Sequence, residues 1–206
     1  MAPTVIHWKK SLDQKESVQV RFEKWLFVNL SKVIIGGKTG ELIRFKAPFF
    51  RKSLLETLRD GEKLSHQWGL EVFVLRKCHN CAHVIFYDSQ RLEDALDEAR
   101  KTPLLERLQY DQQITGKEFL EQLRHKWQHK GTIPHEIGIA AGYPVKDILG
   151  FMGLAPLPLT TVCGWQIYGD ANPSLIMKER FDQAQRWAMD YIDVDQSIFL
   201  RDELRH

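Results

Sequence analysis

The chain has little that would anchor it in a membrane or cross-link it covalently. Its 206 residues include three cysteines, Cys78, Cys81 and Cys163. An odd number in a chain of this length argues against a disulfide scaffold and makes reduced thiols the default expectation. No stretch approaches the roughly 18 consecutive apolar residues of a membrane span, and the first residues lack the apolar segment of a signal peptide. We therefore expect a cytoplasmic protein with no membrane span.

The chain also lacks an excess of charge of either sign. Lys and Arg number 29 against 27 Asp and Glu, a net charge of +2, so a nucleic-acid or anionic-membrane partner would need a local basic patch. Hydrophobic residues make up 43% of the chain, which suffices for a proper core, and no long linker divides it. We expect a single α+β domain over residues 1–192 and a C-terminal tail over residues 193–206.

Hydrophobic spacing and turn residues predict a mixture of helices and strands. β-Branched and aromatic residues on both sides of a short polar loop indicate a hairpin, and Thr115 with Glu118 forms a capping box at a helix start. The predicted helices cover residues 17–30, 50–68 with an interruption at Gly61, 88–100, 104–110, 115–129 and 172–192. The predicted strands cover residues 41–45, 70–76, 83–87 and 163–168. All four strands are expected in one mainly antiparallel sheet backed by the helices.

Residues 133–151 carry the densest set of turn signals in the chain. Pro134 suits a first helical position, Gly142 suits the left-handed residue that closes a helix, and Pro144 suits the entry to the next helix. The segment therefore predicts a helix-turn-helix-like corner. DNA-reading proteins use such corners, but the second helix here offers one lysine beside an aspartate where a recognition helix carries several basic and amide side chains. Nucleic-acid binding is accordingly disfavoured.

His135 and Glu136 follow Pro134 and are the candidate catalytic groups. A helix N-terminus favours the carboxylate, and an imidazole titrates near neutral pH. Adjacent residues point about 100° apart on a helix, so the two side chains are not expected to face one small ligand together. The metalloprotease pattern needs a second histidine where this chain has Ile139, which excludes that class. A structural role for His135 remains the alternative to catalysis.

Aromatic side chains are expected to line a ligand pocket together with the corner histidine. They are Tyr143 in the corner and Trp165 and Tyr168 in the last predicted strand, where the latter two fall on opposite faces. Lys38, in a glycine-rich turn, would join them for an anionic ligand if that turn faces the corner. The turn lacks the spacing of a phosphate loop, and a solvated lysine is the simpler interpretation.

The tip of the predicted hairpin brings two thiols and two imidazoles together. Cys78 and Cys81 have the spacing by which a zinc knuckle offers two sulfurs to one ion, so zinc or iron is the candidate cofactor. His79, His83 and Cys163 are the candidate further ligands. No second paired-cysteine loop completes the site, and a redox dithiol would need a helix N-terminus to lower its pKa. A reduced surface loop is the alternative.

The corner and the strand after it resemble a known family. The resemblance is carried by Pro134-His135-Glu136-Ile137-Gly138, Gly142-Tyr143-Pro144, Asp147, Gly150-Phe151 and Cys163-Gly164-Trp165 with Tyr168. These residues are similar to the pattern of the bacterial family catalogued as domain of unknown function 3793. The turn Lys38-Thr39-Gly40-Glu41-Leu42 and the hairpin ending in Phe86-Tyr87 extend the similarity over most of the chain. The resemblance implies family membership and a bacterial cytoplasmic setting, and it implies no mechanism.

Three functions follow from these observations. The favoured one is a binding or accessory module whose cleft, around residues 134–151, takes a small ligand or a protein partner. The main alternative is an enzyme that uses His135 and Glu136 with Lys38 or with a metal at the hairpin tip. The third is nucleic-acid binding through the corner.

Overall fold

A three-stranded antiparallel sheet organises the chain in the computed structural model, which describes residues 3–193. The helices are α1 (Pro3–Ser11), α2 (Ser17–Ile34), α3 (Leu54–Gln67), α4 (Ser89–Arg100), α5 (Leu104–Arg107), α6 (Gly116–Lys130), α7 (Ile137–Ala140), α8 (Val145–Phe151) and α9 (Asn172–Tyr191). The strands are β1 (Gly40–Lys46), β2 (Glu71–Lys77), β3 (Cys81–Tyr87), β4 (Leu159–Val162) and β5 (Gln166–Tyr168). The predicted tail lies outside the described residues except for Asp193.

The sheet has the strand order β1-β3-β2, with β3 at its centre. β1 aligns Gly40 with Tyr87, and β2 aligns Glu71 with the same residue. A bulge in β2 shifts the register between Val74 and Arg76, which changes the face of the sheet that the following side chains meet. The α+β class, the hairpin and the antiparallel pairing are therefore confirmed.

Strand alternation divides the hydrophobic core into two halves. The half on one face of the sheet includes Ile43, Phe45, Ala82, Val84 and Phe86, together with residues of α1, α2 and α3. The half on the other face includes Leu75, Ile85 and Tyr87, together with residues of α4 to α8. The two halves follow from the period of two along each strand. Helices therefore cover both faces of the sheet.

The last predicted strand does not belong to this sheet. Residues of β5 pair antiparallel with β4 in a separate two-stranded sheet, so the expectation of one four-stranded sheet is wrong. Cys163 and Gly164 form the tight turn between them, with Gly164 at φ 80° and a hydrogen bond of 2.9 Å from Cys163 N to Trp165 O. A short hairpin satisfies its backbone groups locally, which removes the need to join the larger sheet.

Helix α3 also differs from its predicted form. Phe50 and Arg51 have positive φ angles of 47° and 60°, so the helix cannot begin there, and the capping box of Ser53 starts it at Leu54. The predicted interruption at Gly61 is wrong, because the helix runs through this residue. A Cβ on Gly61 would stand 3.6 Å from the Phe86 ring, an ordinary van der Waals distance, so α3 packs on the sheet at this residue.

The corner consists of two short helices, α7 with four residues and α8 with seven. The predicted position of His135 and Glu136 in the first turn of a helix is wrong, because both lie in a turn that precedes α7. Gly142 closes the turn in the left-handed conformation with φ 74°, and its Cβ position is 2.8 Å from Thr39 N. The corner therefore packs directly on the glycine-rich turn before β1. With helices of four and seven residues, the helix-turn-helix character of this corner stays a prediction.

We expect Gly142→Ala to destabilise the protein more than Gly69→Ala. Both glycines have a positive φ, which costs an L-residue about 1–2 kcal/mol. A Cβ on Gly69 meets nothing within 4 Å, whereas one on Gly142 collides with the Thr39 backbone, so the second substitution carries an additional steric cost. Urea unfolding of both variants measures the difference in the free energy of unfolding. Equal losses would contradict the expectation, because they would show that the contact between the corner and the turn adjusts to the added Cβ at no energetic cost.

Candidate functional site

A cavity of about 960 Å³ lies between the corner, the β4–β5 hairpin and one end of the three-stranded sheet. Its volume falls at the upper end of the range of roughly 300–1,000 Å³ for small-molecule sites. Ile133, Phe151 and Val162 line it and are 41%, 43% and 66% exposed. These three side chains form the lip, so the cavity opens to solvent.

Two aromatic rings from separate segments form one wall of the cavity. Tyr143, between α7 and α8, stacks on Trp165 of the hairpin turn, with ring centroids 5.0 Å apart and planes at 20°. Burial, and secondarily the charge of Glu41, raises the pKa of Tyr143, so its hydroxyl stays protonated at neutral pH. The paired rings give this wall of the cavity an aromatic, largely apolar surface.

Asp147 of α8 holds this wall in place. Its carboxylate accepts hydrogen bonds from Trp165 Nε1 (2.9 Å), Tyr168 N (2.9 Å), Ser174 Oγ (2.7 Å) and Lys146 Nζ (2.6 Å). Burial by itself would raise the pKa of Asp147, but these four donors outweigh it and hold the pKa below its usual value. The charged carboxylate thus joins α8, the hairpin and α9.

His135 and Glu136 turn to different sides, as their adjacency predicts. The His135 ring lines the cavity and packs edge-on against Phe151, with centroids 5.0 Å apart. Glu136 is buried and accepts hydrogen bonds from Lys126 Nζ at 2.9 Å and from Tyr110 Oη at 3.1 Å. Glu136 is therefore enclosed by Lys126 and Tyr110, whereas His135 lines the cavity.

The environment of Glu136 keeps it charged. Burial raises its pKa, but the hydrogen bonds from Lys126, the backbone and Tyr110, together with the charge of Lys126, outweigh burial and hold the pKa below its ordinary value. Burial and the neighbouring carboxylate raise the pKa of Tyr110, so the phenol remains a donor. A carboxylate that is paired and enclosed in this way has a structural environment rather than that of a free base.

Tyr168 and Lys38 lie outside the cavity lining. The Tyr168 ring covers Gly150, where a Cβ would stand 2.4 Å from it. Lys38 is buried, 8% exposed, and its Nζ lies 2.6 Å from Glu41 Oε2. The interpretation of Lys38 as a solvated lysine is therefore wrong. Its turn does face the corner, because Nζ lies 5.6 Å from the centroid of the Tyr143 ring.

The hairpin tip carries a disulfide. Cys78 and Cys81 are bonded to each other, so the expectation of reduced thiols is wrong for this pair, whereas Cys163 is free. The turn brings the two Cα atoms to 5.1 Å, within the usual range for a disulfide. Over residues 3–193, no group of three or more His, Cys, Asp or Glu side chains is arranged to hold a metal ion. A metal knuckle with His79 or His83 would first require reduction of the disulfide.

The floor of the cavity contains residues that the sequence did not indicate as a site. Arg44 of β1, His83 of β3 and Arg76 of β2 stand in one row across the sheet, and all three line the cavity with Trp127 of α6. The His83 ring lies 4.8 Å from that of Trp127. Burial, followed by the charges of the two arginines, lowers the pKa of His83, so it is neutral at pH 7.

From the sequence, His83 was expected only as a metal ligand, and the two arginines were not expected at a site. The period of two along a strand places Arg44 on the same face as Leu42, and this alternation could have indicated Arg44 as a residue of the site. The position of Arg76 depends on the bulge in β2, and no residue pattern announced that bulge.

A comparison with protein-family models matches residues 26–199 to a family described as protein of unknown function (DUF3793). Searches of curated proteins and of solved structures return no significant match. In the part of the chain that the structure describes, no helix has the length and apolarity needed to cross a bilayer.

We expect Asp147→Asn to destabilise the protein by about 3 kcal/mol at pH 7, because the amide cannot satisfy all four donors and carries no charge. Ser174→Ala removes one donor and should cost about 1 kcal/mol. Since the folded-state pKa of Asp147 is lowered, the stabilisation is complete above about pH 4 and is lost as the pH falls through that pKa.

Urea unfolding at pH 7 and at successively lower pH measures both effects. The gap between wild type and Asp147→Asn should narrow as the pH decreases. A gap that is absent at pH 7, or that stays constant with pH, would contradict the proposed role of the carboxylate.

Proposed function

This chain belongs to the DUF3793 family, as its corner motif predicted, and we propose that it is a binding module that holds a small molecule in the cavity beside the corner. The observation that carries the proposal is the cavity of about 960 Å³, open at one side and walled by stacked rings. Concave, largely apolar sites of this size are typical of small-molecule binding. A bacterial cytoplasmic setting is part of the same proposal.

Contacts within the protein hold the aromatic wall of the cavity in place. The Tyr143–Trp165 stack is fixed through the hydrogen bond from Trp165 Nε1 to Asp147, and Asp147 is itself held by three further donors. Preorganisation of this kind reduces the ordering cost of binding. The corner motif thus supports a rigid receptor and not a flexible surface loop.

Binding is better supported than acid–base catalysis by the corner pair. A general base and a general acid must reach the same reacting group, and the contacts of His135 and Glu136 lie on different sides of the turn. Glu136 is only 6% exposed and is engaged by Lys126. His135 therefore supports the proposal as a ring at the cavity, packed against Phe151.

A neutral fluorescent dye tests the proposal. N-phenyl-1-naphthylamine gains fluorescence in apolar surroundings and has a size that this cavity accommodates. We expect saturable binding at one site per chain. Val162→Trp should weaken this binding by about tenfold or more, because the indole occupies the mouth of the cavity.

Leu159→Trp is the matched control. Leu159 lies on the same strand β4, is 52% exposed and does not line the cavity. This variant should bind the dye within about twofold of wild type, and both variants should unfold cooperatively in urea. Dye binding that is absent from wild type, or equally reduced by both substitutions, would overturn the proposed site.

A further inference from the structure

We propose that the ligand of this cavity is a small organic anion whose acidic group lies between Arg44 and Arg76 above His83, while its planar apolar body lies against the aromatic walls. The inference rests on the proposed function and adds the chemical class of the ligand. It also assigns two arginines as the residues that recognise the acidic group.

The geometry of the row places two guanidinium groups within reach of one ligand group. Arg44 and Arg76 both align with His83 on the central strand. Adjacent strands lie about 4.8 Å apart, so the two arginine Cα atoms flank the imidazole at a separation of about 10 Å. Side chains of this length can converge over the middle strand and grip a carboxylate or phosphate from both sides.

The bulge in β2 is what brings Arg76 to this face. Val74 aligns with Val84, and after the bulge Arg76 aligns with His83, so Leu75 has no partner of its own. With regular alternation Arg76 would point to the opposite face of the sheet. Bulges commonly re-aim a side chain beside a functional site.

The two arginines keep unused positive charge. No carboxylate forms an ion pair with Arg44 or Arg76 anywhere in residues 3–193. Arg76 donates one hydrogen bond of 2.6 Å to Gly131 O, which fixes its side chain and leaves further N–H groups free. The acidic residue of the lining, Asp147, is 1% exposed in its side chain and engaged by Lys146. The floor is therefore positive.

The pKa of His83 reflects the positive potential of the two arginines. Burial and the charges of Arg44 and Arg76 disfavour its protonation and lower its pKa. An anion bound between the arginines would relieve that repulsion, and the neutral ring can also donate one hydrogen bond to it. The aromatic body of the ligand would then extend from Trp127, which contacts His83, toward the stacked wall.

A pair of dyes that differ in one acidic group tests the inference. 8-Anilinonaphthalene-1-sulfonate has the same ring framework as N-phenyl-1-naphthylamine and carries a sulfonate. We expect wild type to bind the sulfonate more tightly. Arg44→Gln and Arg76→Gln should each weaken binding of the sulfonate by about tenfold, and leave binding of the neutral dye within about twofold.

Matched controls separate specific recognition from a general loss of charge. Lys46→Gln removes the same charge from an exposed position of β1 outside the cavity, and Lys77→Gln does so on β2. Both should bind either dye as wild type does. Arg44→Lys keeps the charge and should retain most of the sulfonate affinity. Displacement of the sulfonate by phenyl phosphate and by benzoate then shows which acidic group the arginines prefer.

The outcomes distinguish the two proposals. If both dyes bind, are blocked by Val162→Trp, and are unaffected by the arginine substitutions, the cavity is a binding site and the anion inference is overturned. If Lys46→Gln weakens sulfonate binding as much as Arg44→Gln, recognition by the row is likewise overturned. If neither dye binds to wild type, the proposed function fails, and the inference fails with it.

Discussion

The buried carboxylate of Asp147 is the constraint on which the cavity depends. It lies on a helix of seven residues and accepts hydrogen bonds from that helix, from the hairpin and from α9. Among the described residues 3–193, β4 and β5 pair only with each other, so strand pairing does not fix their position against this part of the molecule. The Asp147 carboxylate fixes the hairpin together with Lys146, whose Nζ donates a hydrogen bond of 2.8 Å to Tyr168 O, because charged groups form stronger hydrogen bonds than neutral ones. The aromatic wall is rigid as a consequence.

The cavity exists where the helical cover of the sheet ends. On the face of α4 to α8, Ile85 and Tyr87 are enclosed in the core, whereas His83, two residues earlier on the same strand, packs against Trp127 and lines the cavity. Polar residues at the end of a strand would otherwise face solvent. Here the corner and the hairpin stand beside them, so the end of the sheet that the helices leave uncovered becomes the floor of a site. The strand register therefore fixes the positions of the charged side chains in this floor.

The sequence predicted those features that depend on neighbours along the chain. The capping box at Thr115, the β2–β3 hairpin and the closure at Gly142 are local, and each formed as its residue pattern indicates. Two other features were missed. β5 pairs with β4, a strand that the residue pattern did not indicate, and a bulge sets the direction of Arg76. Side-chain packing contributes to both, and the residue pattern along the chain does not record it. For the same reason three of the predicted cavity residues were brought together and two were not.

His135 of the corner motif indicated where the cavity lies, but not which residues supply its charge. The distribution of paired and unpaired cations explains this difference. Around the corner, Lys38, Lys126 and Lys146 each contact a carboxylate at 2.6 to 2.9 Å, so these charges are neutralised within the scaffold. The field that remains in the cavity comes from two arginines on the sheet, outside the corner motif. Neutralised pairs stabilise geometry, whereas unpaired charges in a concave site attract ligands. The motif therefore builds the enclosure, and the strands supply its specificity.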